Sequence, residues 1–302
     1  MPGSSRKTSM NVSVVIVTYN SQDCIAACVA SVLTQTGVTF EIIVVDNASA
    51  DGTLARLKTL DVKTIASPEN LGFGRGCNLG FAQATGRYVY LLNPDAYLVG
   101  NSSLADLCQA MDDHSAWGMA GTMVCDADGK IESEPQVQYP GQRHVSRDFS
   151  KLPGRIAWVI GASMFVRSDI YRELGGFDPD FFLYGEETDF CLRLRELGYE
   201  IGYVPEVTLR HIGGASSHGV DPYVVSVRKQ KGILNFRRKH YAPEDVDYLT
   251  RRDLNRARFR ALANSLLGLL QPAHSRAWEK SRRYRGIWET SRAFLSRTDR
   301  TP

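Results

Sequence analysis

No stretch of this 302-residue chain is apolar for long enough to cross a membrane. A span needs about 20 such residues, and the longest candidate, Ala261 to Leu270, is shorter and is interrupted by Asn264 and Ser265. The segment Met1 to Met10 is polar and lacks the apolar core of a secretory leader. Cysteine is sparse, at positions 24, 28, 77, 108, 125 and 191. Cys24 and Cys28 would sit one helical turn apart, but no second pair stands at zinc-site spacing, which argues against a structural zinc. Buried free thiols in a reducing compartment are expected instead. Internal repeats and low-complexity segments are also absent, which sets solenoid architectures aside. These absences predict a cytoplasmic protein, at most resting peripherally on the inner face of the plasma membrane.

What is present is an ordinary globular composition, 43% hydrophobic and 23% charged. A chain of this length buries a sizeable core without staples. The formal net charge of +3 hides an asymmetry. From Arg228 onward there are nineteen Lys and Arg against seven Asp and Glu, leaving seventeen basic and twenty-six acidic residues before it. An acidic body therefore carries a basic tail. Such a tail is either a solvated helical face or a surface that meets phosphates or anionic lipid.

Val12 to Tyr19, Glu41 to Asp46, Val62 to Ala66 and Tyr88 to Leu92 are short β-branched or apolar runs. They read as strands buried on both faces. Between them, Cys24 to Thr34, Asp51 to Leu60 and Gly72 to Ala84 read as helices. The alternation predicts an α/β fold, a mostly parallel sheet with helices on both faces. Ligands bind such sheets beyond the carboxyl ends of the strands. Thr18-Tyr19-Asn20, Asp46-Asn47 and Asn93-Pro94-Asp95 all fall at those ends. Further on, Met119 to Val124, Trp158 to Val166 and Glu206 to Arg210 read as strands. Ser168 to Leu174, Glu187 to Leu197, Tyr223 to His240, Leu254 to Leu270 and Trp278 to Leu295 read as helices. Glu132 to Arg155, rich in Pro, Gly, Gln and charge, reads as a long loop of the kind that often forms a lid.

Five elements in order, Val14-Val-Ile-Val-Thr-Tyr-Asn20, Val44-Val-Asp-Asn-Ala-Ser49, Asn70-Leu-Gly-Phe-Gly74, Leu92-Asn-Pro-Asp95 and Tyr184-Gly-Glu-Glu-Thr-Asp189, resemble the family-2 glycosyltransferases of the GT-A fold. The resemblance covers roughly residues 11 to 240. Its nearest flavour is the bacterial rhamnosyltransferase-like branch, which builds cell-surface polysaccharide. It implies a GT-A nucleotide-sugar-binding and catalytic domain over 1–240, with basic amphipathic helices over 241–302 as a C-terminal extension. The implied activity is inverting transfer of a sugar to an acceptor hydroxyl on a glycan or lipid-linked acceptor. The donor would be a dTDP-sugar such as dTDP-rhamnose, or a UDP-hexose. A nucleic-acid partner is not implied. Two alternative classes are a nucleotidyltransferase and a non-catalytic nucleotide-sugar-binding scaffold. The first would want a glycine-rich basic loop after the first strand, but Thr18-Tyr-Asn-Ser-Gln-Asp23 has no Gly, Lys or Arg. The second would be expected to lose Asp95 or the Glu186–Glu187 pair, and both are present.

A nucleoside diphosphate departs only if its charge is stabilised, and a divalent cation bridging the phosphates does this. The resemblance assigns Mg²⁺ or Mn²⁺ to Asp95, a hard carboxylate ligand, with Asn93 where relatives carry a first Asp. It adds His211 at the metal or phosphate site, although a lone histidine is more often structural. Thr18, Tyr19, Asn20, Asp46 and Asn47 correspond to the base-and-ribose pocket, with a capping role as the alternative for Asp46. Asn70, Gly72, Arg75 and Asn78 fall where the donor approaches the backbone. For Arg75 and Asn78, packing or capping is an equal alternative. The glycines from Gly72 follow the third strand, not the first, so they are not a dinucleotide fingerprint.

Among Glu186, Glu187 and Asp189, the resemblance makes Glu187 the base that takes the acceptor proton. Its acidic neighbours would raise its pKa, or Asp189 would pair with Arg193 one turn on. Arg228 and Lys229 are either diphosphate-neutralising or part of a solvated face. Trp158, Tyr139 and His144 are candidates for an acceptor groove, with packing the better expectation for each. Leu262, Leu266, Leu267, Leu269 and Leu270, with Trp278, Ile287, Trp288, Phe294 and Leu295, form apolar stripes among arginines. They suit an interfacial helix pair on a membrane, packing on the catalytic domain, or a homodimer.

Overall fold

The computed structural model describes residues 11–212, 220–269 and 275–298. Leu270, which figured in the expectations above, lies outside the described residues. In chain order the elements are β1 (Val12–Thr18), α1 (Ile25–Leu33), β2 (Phe40–Asp46), α2 (Thr53–Leu57), β3 (Lys63–Ala66), α3 (Phe73–Phe81), β4 (Tyr88–Leu92), β5 (Ala96–Leu98), α4 (Ser103–Asp113), β6 (Trp117–Cys125), β7 (Ile131–Ser133), β8 (Ser163–Arg167), α5 (Ser168–Glu173), α6 (Glu186–Glu196), β9 (Glu200–His211), α7 (Pro222–His240), α8 (Pro243–Leu269) and α9 (Arg276–Thr298).

Two compact units emerge. The first takes Met1–Val137, Leu152–Phe182 and Glu187–Ser216, and the second takes Gln138–Lys151, Leu183–Glu186 and Ser217–Pro302. The division therefore does not fall at residue 240. Helix α7 groups with the C-terminal helices because its buried face packs on α9 and α8.

The first unit is a mixed sheet in the order β3-β2-β1-β4-β8-β6-β9-β5, with β7 paired to β6. Strands β1 to β4 are parallel, while β8 is antiparallel to β4 and β6. Every residue of β1 is buried. Val12, Val14 and Ile16 join a cluster with Ile25, Val29 and Leu107 on one face. Val15 and Val17 join Cys77, Tyr171 and Phe190 on the other. This two-sided burial is why the strand reads as a continuous apolar run rather than an alternation. The glycines of α3 permit that helix to lie close, since a Cβ on Gly76 would stand 2.7 Å from Val17. The order reverses between β1 and β4, which is the switch point where a crevice opens at the carboxyl ends.

Three elements depart from the expectations. Helix α4 was not expected, yet Leu104, Leu107, Cys108 and Met111 bury one face at helical spacing. Helix α8 begins eleven residues before Leu254, at Pro243, with Glu244 and Asp245 in its first turn. Proline at a first helical position and acids beside the dipole's positive end are start signals. The expected lid, Glu132 to Arg155, is docked rather than loose. Buried Arg195 donates to the carbonyls of Pro153 and Gly154, each at 2.9 Å. In the second unit, Ser146 is held by Asp245, and Tyr139 stacks on Phe236. Packing is thus the observed use of Tyr139. His144 stands beside Tyr248, and Trp158 is half-buried and bridged to Gln136. No helix of the described residues is long and apolar enough to cross a membrane.

Candidate active site

The carboxyl ends of β1, β2 and β4 set the site. Thr18 and Asp46 are paired in register, and Ile16 faces Leu92. Thr18, Asp46 and Asn47 are buried, whereas Tyr19 is 40% exposed and Asn20 is exposed. The Asp46 carboxylate accepts from the Thr18 hydroxyl at 3.2 Å and from the Ser49 backbone N–H at 3.1 Å. It ties β1 to β2 and shapes the turn after β2. Asn47 donates to Asn70 Oδ1 and to the Gly72 carbonyl, each at 3.0 Å, and accepts from the Leu71 N–H. Asn47 and Asn70 therefore brace the loop that leads into α3.

The glycine-rich element serves the fold. Gly72 sits at φ +84°, and a Cβ there would overlap the Phe182 carbonyl oxygen. The close approach is thus to this chain's own backbone, at a point where Phe73 N–H donates to Phe182 at 3.0 Å. Arg75 donates to the Pro179 carbonyl at 2.9 Å. Asn78 donates to the Phe177 carbonyl and accepts from the Phe177 N–H and the Tyr171 hydroxyl. Of the two uses expected for Arg75 and Asn78, the packing role is the one observed.

Asp95 follows β4 and is 4% exposed. Strand β5 turns back antiparallel to β9, with Ala96 opposite His211. That register brings His211 Nε2 to 3.2 Å from Asp95 Oδ1, although 116 positions separate the two in the chain. On the other side, His211 Nδ1 donates to Glu132 Oε2 at 2.8 Å. Glu132 arrives because the β6–β7 hairpin pairs Cys125 with Ile131, while β6 pairs Cys125 with Arg210. Burial opposes a charge on His211, but the hydrogen bonds and charges of Asp95 and Glu132 outweigh it and push its pKa up to about 9. The Asn93 amide stands 3.4 Å from His211 Nε2.

The sequence reading singled out Asp95, His211 and Asn93 but not Glu132. No periodicity points to Glu132, since only the hairpin register carries it there. Its contact is chemically informative. A histidine that gives Nδ1–H to a carboxylate and turns Nε2 toward a second carboxylate has the orientation of a metal-ligating imidazole. Among the described residues, no cluster of three or more His, Cys, Asp or Glu is arranged to hold a metal ion. A cation at Asp95 and His211 would thus take further ligands from water and phosphate oxygens, as Mg²⁺ commonly does.

Glu187 starts α6 half-buried. A Cβ placed on Gly161 would lie 3.6 Å from Glu187 Cβ. The next residue, Ala162, accepts from the Asn93 N–H at 3.3 Å. Gly161 and Ala162 therefore run beside the Glu187 side chain and hold the Asn93–Asp95 loop through one backbone bond. Asp189 is different. It is 1% exposed, and Arg193 Nε donates to it at 2.7 Å. Arg193 also donates to the carbonyls of Leu174 and Gly176. Pairing with Arg193, the alternative to a catalytic role, is what the structure contains for Asp189. Glu186 is buried at 3% exposure. In the second unit, Lys229 Nζ stands 5.1 Å from the Tyr184 ring centroid, and Arg228 is half-buried beside it in sequence. All six cysteines are free and buried, as expected.

Comparison with known proteins agrees with this geometry. The family model described as "Glycosyl transferase family 2" matches residues 13–175. An N-acetylglucosaminyl-diphospho-decaprenol L-rhamnosyltransferase of Mycobacterium tuberculosis is 27% identical over 243 residues, 69% of this chain and 78% of that protein. Among solved structures, S. aureus TarS 1–349 in complex with UDP superposes with a TM-score of 0.55 at 19% identity, covering 94% of this chain and 92% of that one. Against a longer TarS chain, this chain spans 44% of the length. The mannosyltransferase PcManGT from Pyrobaculum calidifontis, in complex with GDP-Man and Mn²⁺, gives a TM-score of 0.56 at 15% identity, covering 97% and 76%. These neighbours are GT-A glycosyltransferases, and the fold is theirs. The strand-end motifs and a family model spanning more than half of the sequence together place this chain in glycosyl transferase family 2.

Proposed function

We propose that this chain transfers a sugar, with inversion, from a pyrimidine nucleotide-sugar to a hydroxyl of a lipid-linked glycan acceptor. The carrying observation is the buried Asp95 carboxylate at the end of β4, with His211 against it and Glu132 behind. Asp95 and His211 would hold Mg²⁺ or Mn²⁺, with Glu132 fixing the imidazole. When bound, such an ion neutralises charge on the departing diphosphate as a Lewis acid. The exposed Tyr19 ring offers a stacking face to the base, above a floor made by Thr18 and Asp46. Glu187 takes the proton from the acceptor hydroxyl as its oxygen bonds to the sugar C1 on the face opposite the breaking C1–O bond. The name of the mycobacterial relative supports L-rhamnose as the sugar transferred, with dTDP-rhamnose as the proposed donor, and a polyprenyl-diphosphate glycan as acceptor. A lipid-linked acceptor would place that transfer at a membrane surface.

Nucleotide release from dTDP-, UDP- and GDP-sugars, with Mn²⁺, Mg²⁺ or EDTA, tests this reading, with donor binding followed by thermal shift. Wild type should select one pyrimidine donor. Asp95→Ala should lose both the metal-assisted shift and release. Glu187→Gln should keep the shift and lose transfer by about 10²-fold or more. Absence of any shift or cleavage with every donor and metal would refute the proposal.

A further inference from the structure

Helix α8 is amphipathic in a way that the second unit does not use. Its small-residue face is covered, since Ala257 and Ala261 are buried and Gly268 meets Trp278. Ser265 and Ser281 join α8 to α9 at 2.7 Å. The opposite face is bare. Phe259 is 74% exposed, Leu262 54% and Leu266 66%. At 100° per residue these three fall within an arc of about 60°. Exposed apolar residues scattered singly need no explanation, but an aligned row marks an interaction site. Exposed Arg258 borders the row on one side, and exposed Arg252 and Arg256 border it on the other. On helix α9, Leu295 is buried and Ile287, Trp288 and Phe294 are partly covered, while Trp278 is 36% exposed.

We infer that this face of α8 docks on an anionic lipid bilayer. The flanking charges decide between the two occupants an apolar row could take. Positions 252, 255, 259, 262 and 266 have the three-four spacing of a coiled-coil seam, so a second copy of α8 must be considered. In that pairing the flanking positions would be Arg251, Arg256 and Arg258. Asp247 answers Arg251 within its own helix at 2.7 Å, but no flanking position from 251 to 266 is acidic, so a parallel pair would set Arg251 against Arg256 of the second copy. A bilayer containing anionic lipid reverses the sign of that interaction. It accepts the phenylalanine and leucines at the acyl boundary while the guanidinium groups meet phosphates. This inference rests on α8 alone and not on the donor, the metal or the acceptor.

The full chain is spun with phosphatidylcholine vesicles, with and without phosphatidylglycerol, and its lipid-free mass is measured by analytical ultracentrifugation. Wild type should pellet with the anionic vesicles and far less with the neutral ones. Binding should fall as salt approaches about 1 M, where the Debye length shrinks to about 3 Å. The variant F259S/L262S/L266S removes the buried apolar area and should lower the partition roughly a hundred-fold or more. Its melting temperature should stay near wild type, because the replaced side chains are exposed. The variant R252A/R256A/R258A should lose the preference for anionic lipid. Equal pelleting of wild type and F259S/L262S/L266S would overturn the inference. So would no binding by wild type, or a wild-type dimer that F259S/L262S/L266S converts to monomer.

Discussion

Gly72→Ala separates a glycine needed by the fold from one needed by a ligand. Two costs are expected. Gly72 has φ +84°, where an L-residue loses roughly 1–2 kcal/mol. The new Cβ would also overlap the Phe182 carbonyl oxygen and stand 2.9 Å from its carbonyl carbon and its Cδ2. Carbon and oxygen rarely approach inside about 3.3 Å, so one segment must shift by about an ångström. Overpacking of this kind costs about 1–3 kcal/mol, and loss of the Phe73–Phe182 hydrogen bond adds about 1 kcal/mol. The sum is about 3–6 kcal/mol, against a typical total near 5–15 kcal/mol. For a unit of this size the melting temperature should drop by about 6 °C or more.

Gly100→Ala is the control for a positive φ without a clash, because Gly100 has φ +85° with nothing within 4 Å of the added atom. It carries the backbone term alone and should cost about 1–2 kcal/mol. Calorimetry on both variants gives the clash as a difference. Phe182 also leads by five residues into Glu187, so the shift should lower transfer more than donor binding. A displacement of about 1 Å can cost about 10²-fold in rate. Melting at the Gly100→Ala temperature with weakened donor binding would refute the reasoning and make Gly72 a donor contact instead.

Arg193→Ala removes the ion pair to Asp189, a 1% exposed carboxylate, and two bonds to backbone carbonyls. The expected loss is about 3–5 kcal/mol, read by urea denaturation. An unchanged midpoint with reduced transfer would return Asp189 to a catalytic role. Cysteine titration with a disulfide reagent should read almost no thiols in the native protein and all six after unfolding. Burial, with the charge of Asp95 acting in the same direction at Cys24, raises Cys24 to about 11, and burial is the main cause that raises Cys108 and Cys191 to about 12. A rapidly reacting native thiol would contradict that burial.

The parallel half of the sheet was legible because its strands are buried on both faces, which writes itself as runs such as Val14-Val-Ile-Val17. The loops at the strand ends were legible because Asn, Asp and Pro mark where the apolar run stops. What escaped is whatever depends on distant pairing. Glu132 reaches His211 only through two strand registers. The packing partners of Asn78 and Arg75 were not legible because they lie about 100 positions away, most of them backbone groups. Helices α4 and the start of α8 are another matter. Their signals, apolar spacing from Leu104 and Pro243-Glu244-Asp245, stood in the sequence unread.

Backbone strain offers an independent reason to assign function to the strand-end loops. Among the described residues, three non-glycines adopt a positive φ, namely Asn20 at 52°, Ala48 at 62° and Tyr184 at 70°. Each falls inside a motif singled out from the sequence: after β1, after β2 and in the loop leading into α6. Asn20 is eased by local bonds, since it accepts from the Ala50 N–H and gives its own N–H to Ser49. Asparagine also tolerates this region better than most residues. Ala48 and Tyr184 have no such chemistry, and each should cost about 1–3 kcal/mol there. A glycine at either position would lower that cost without removing any side-chain ligand at Ala48. Conformations of this kind persist where the surrounding structure holds a loop in one required shape. Here the loops so held bear Asp46, Asn47 and Glu187, to which the proposed transfer assigns the nucleotide pocket and the acceptor proton.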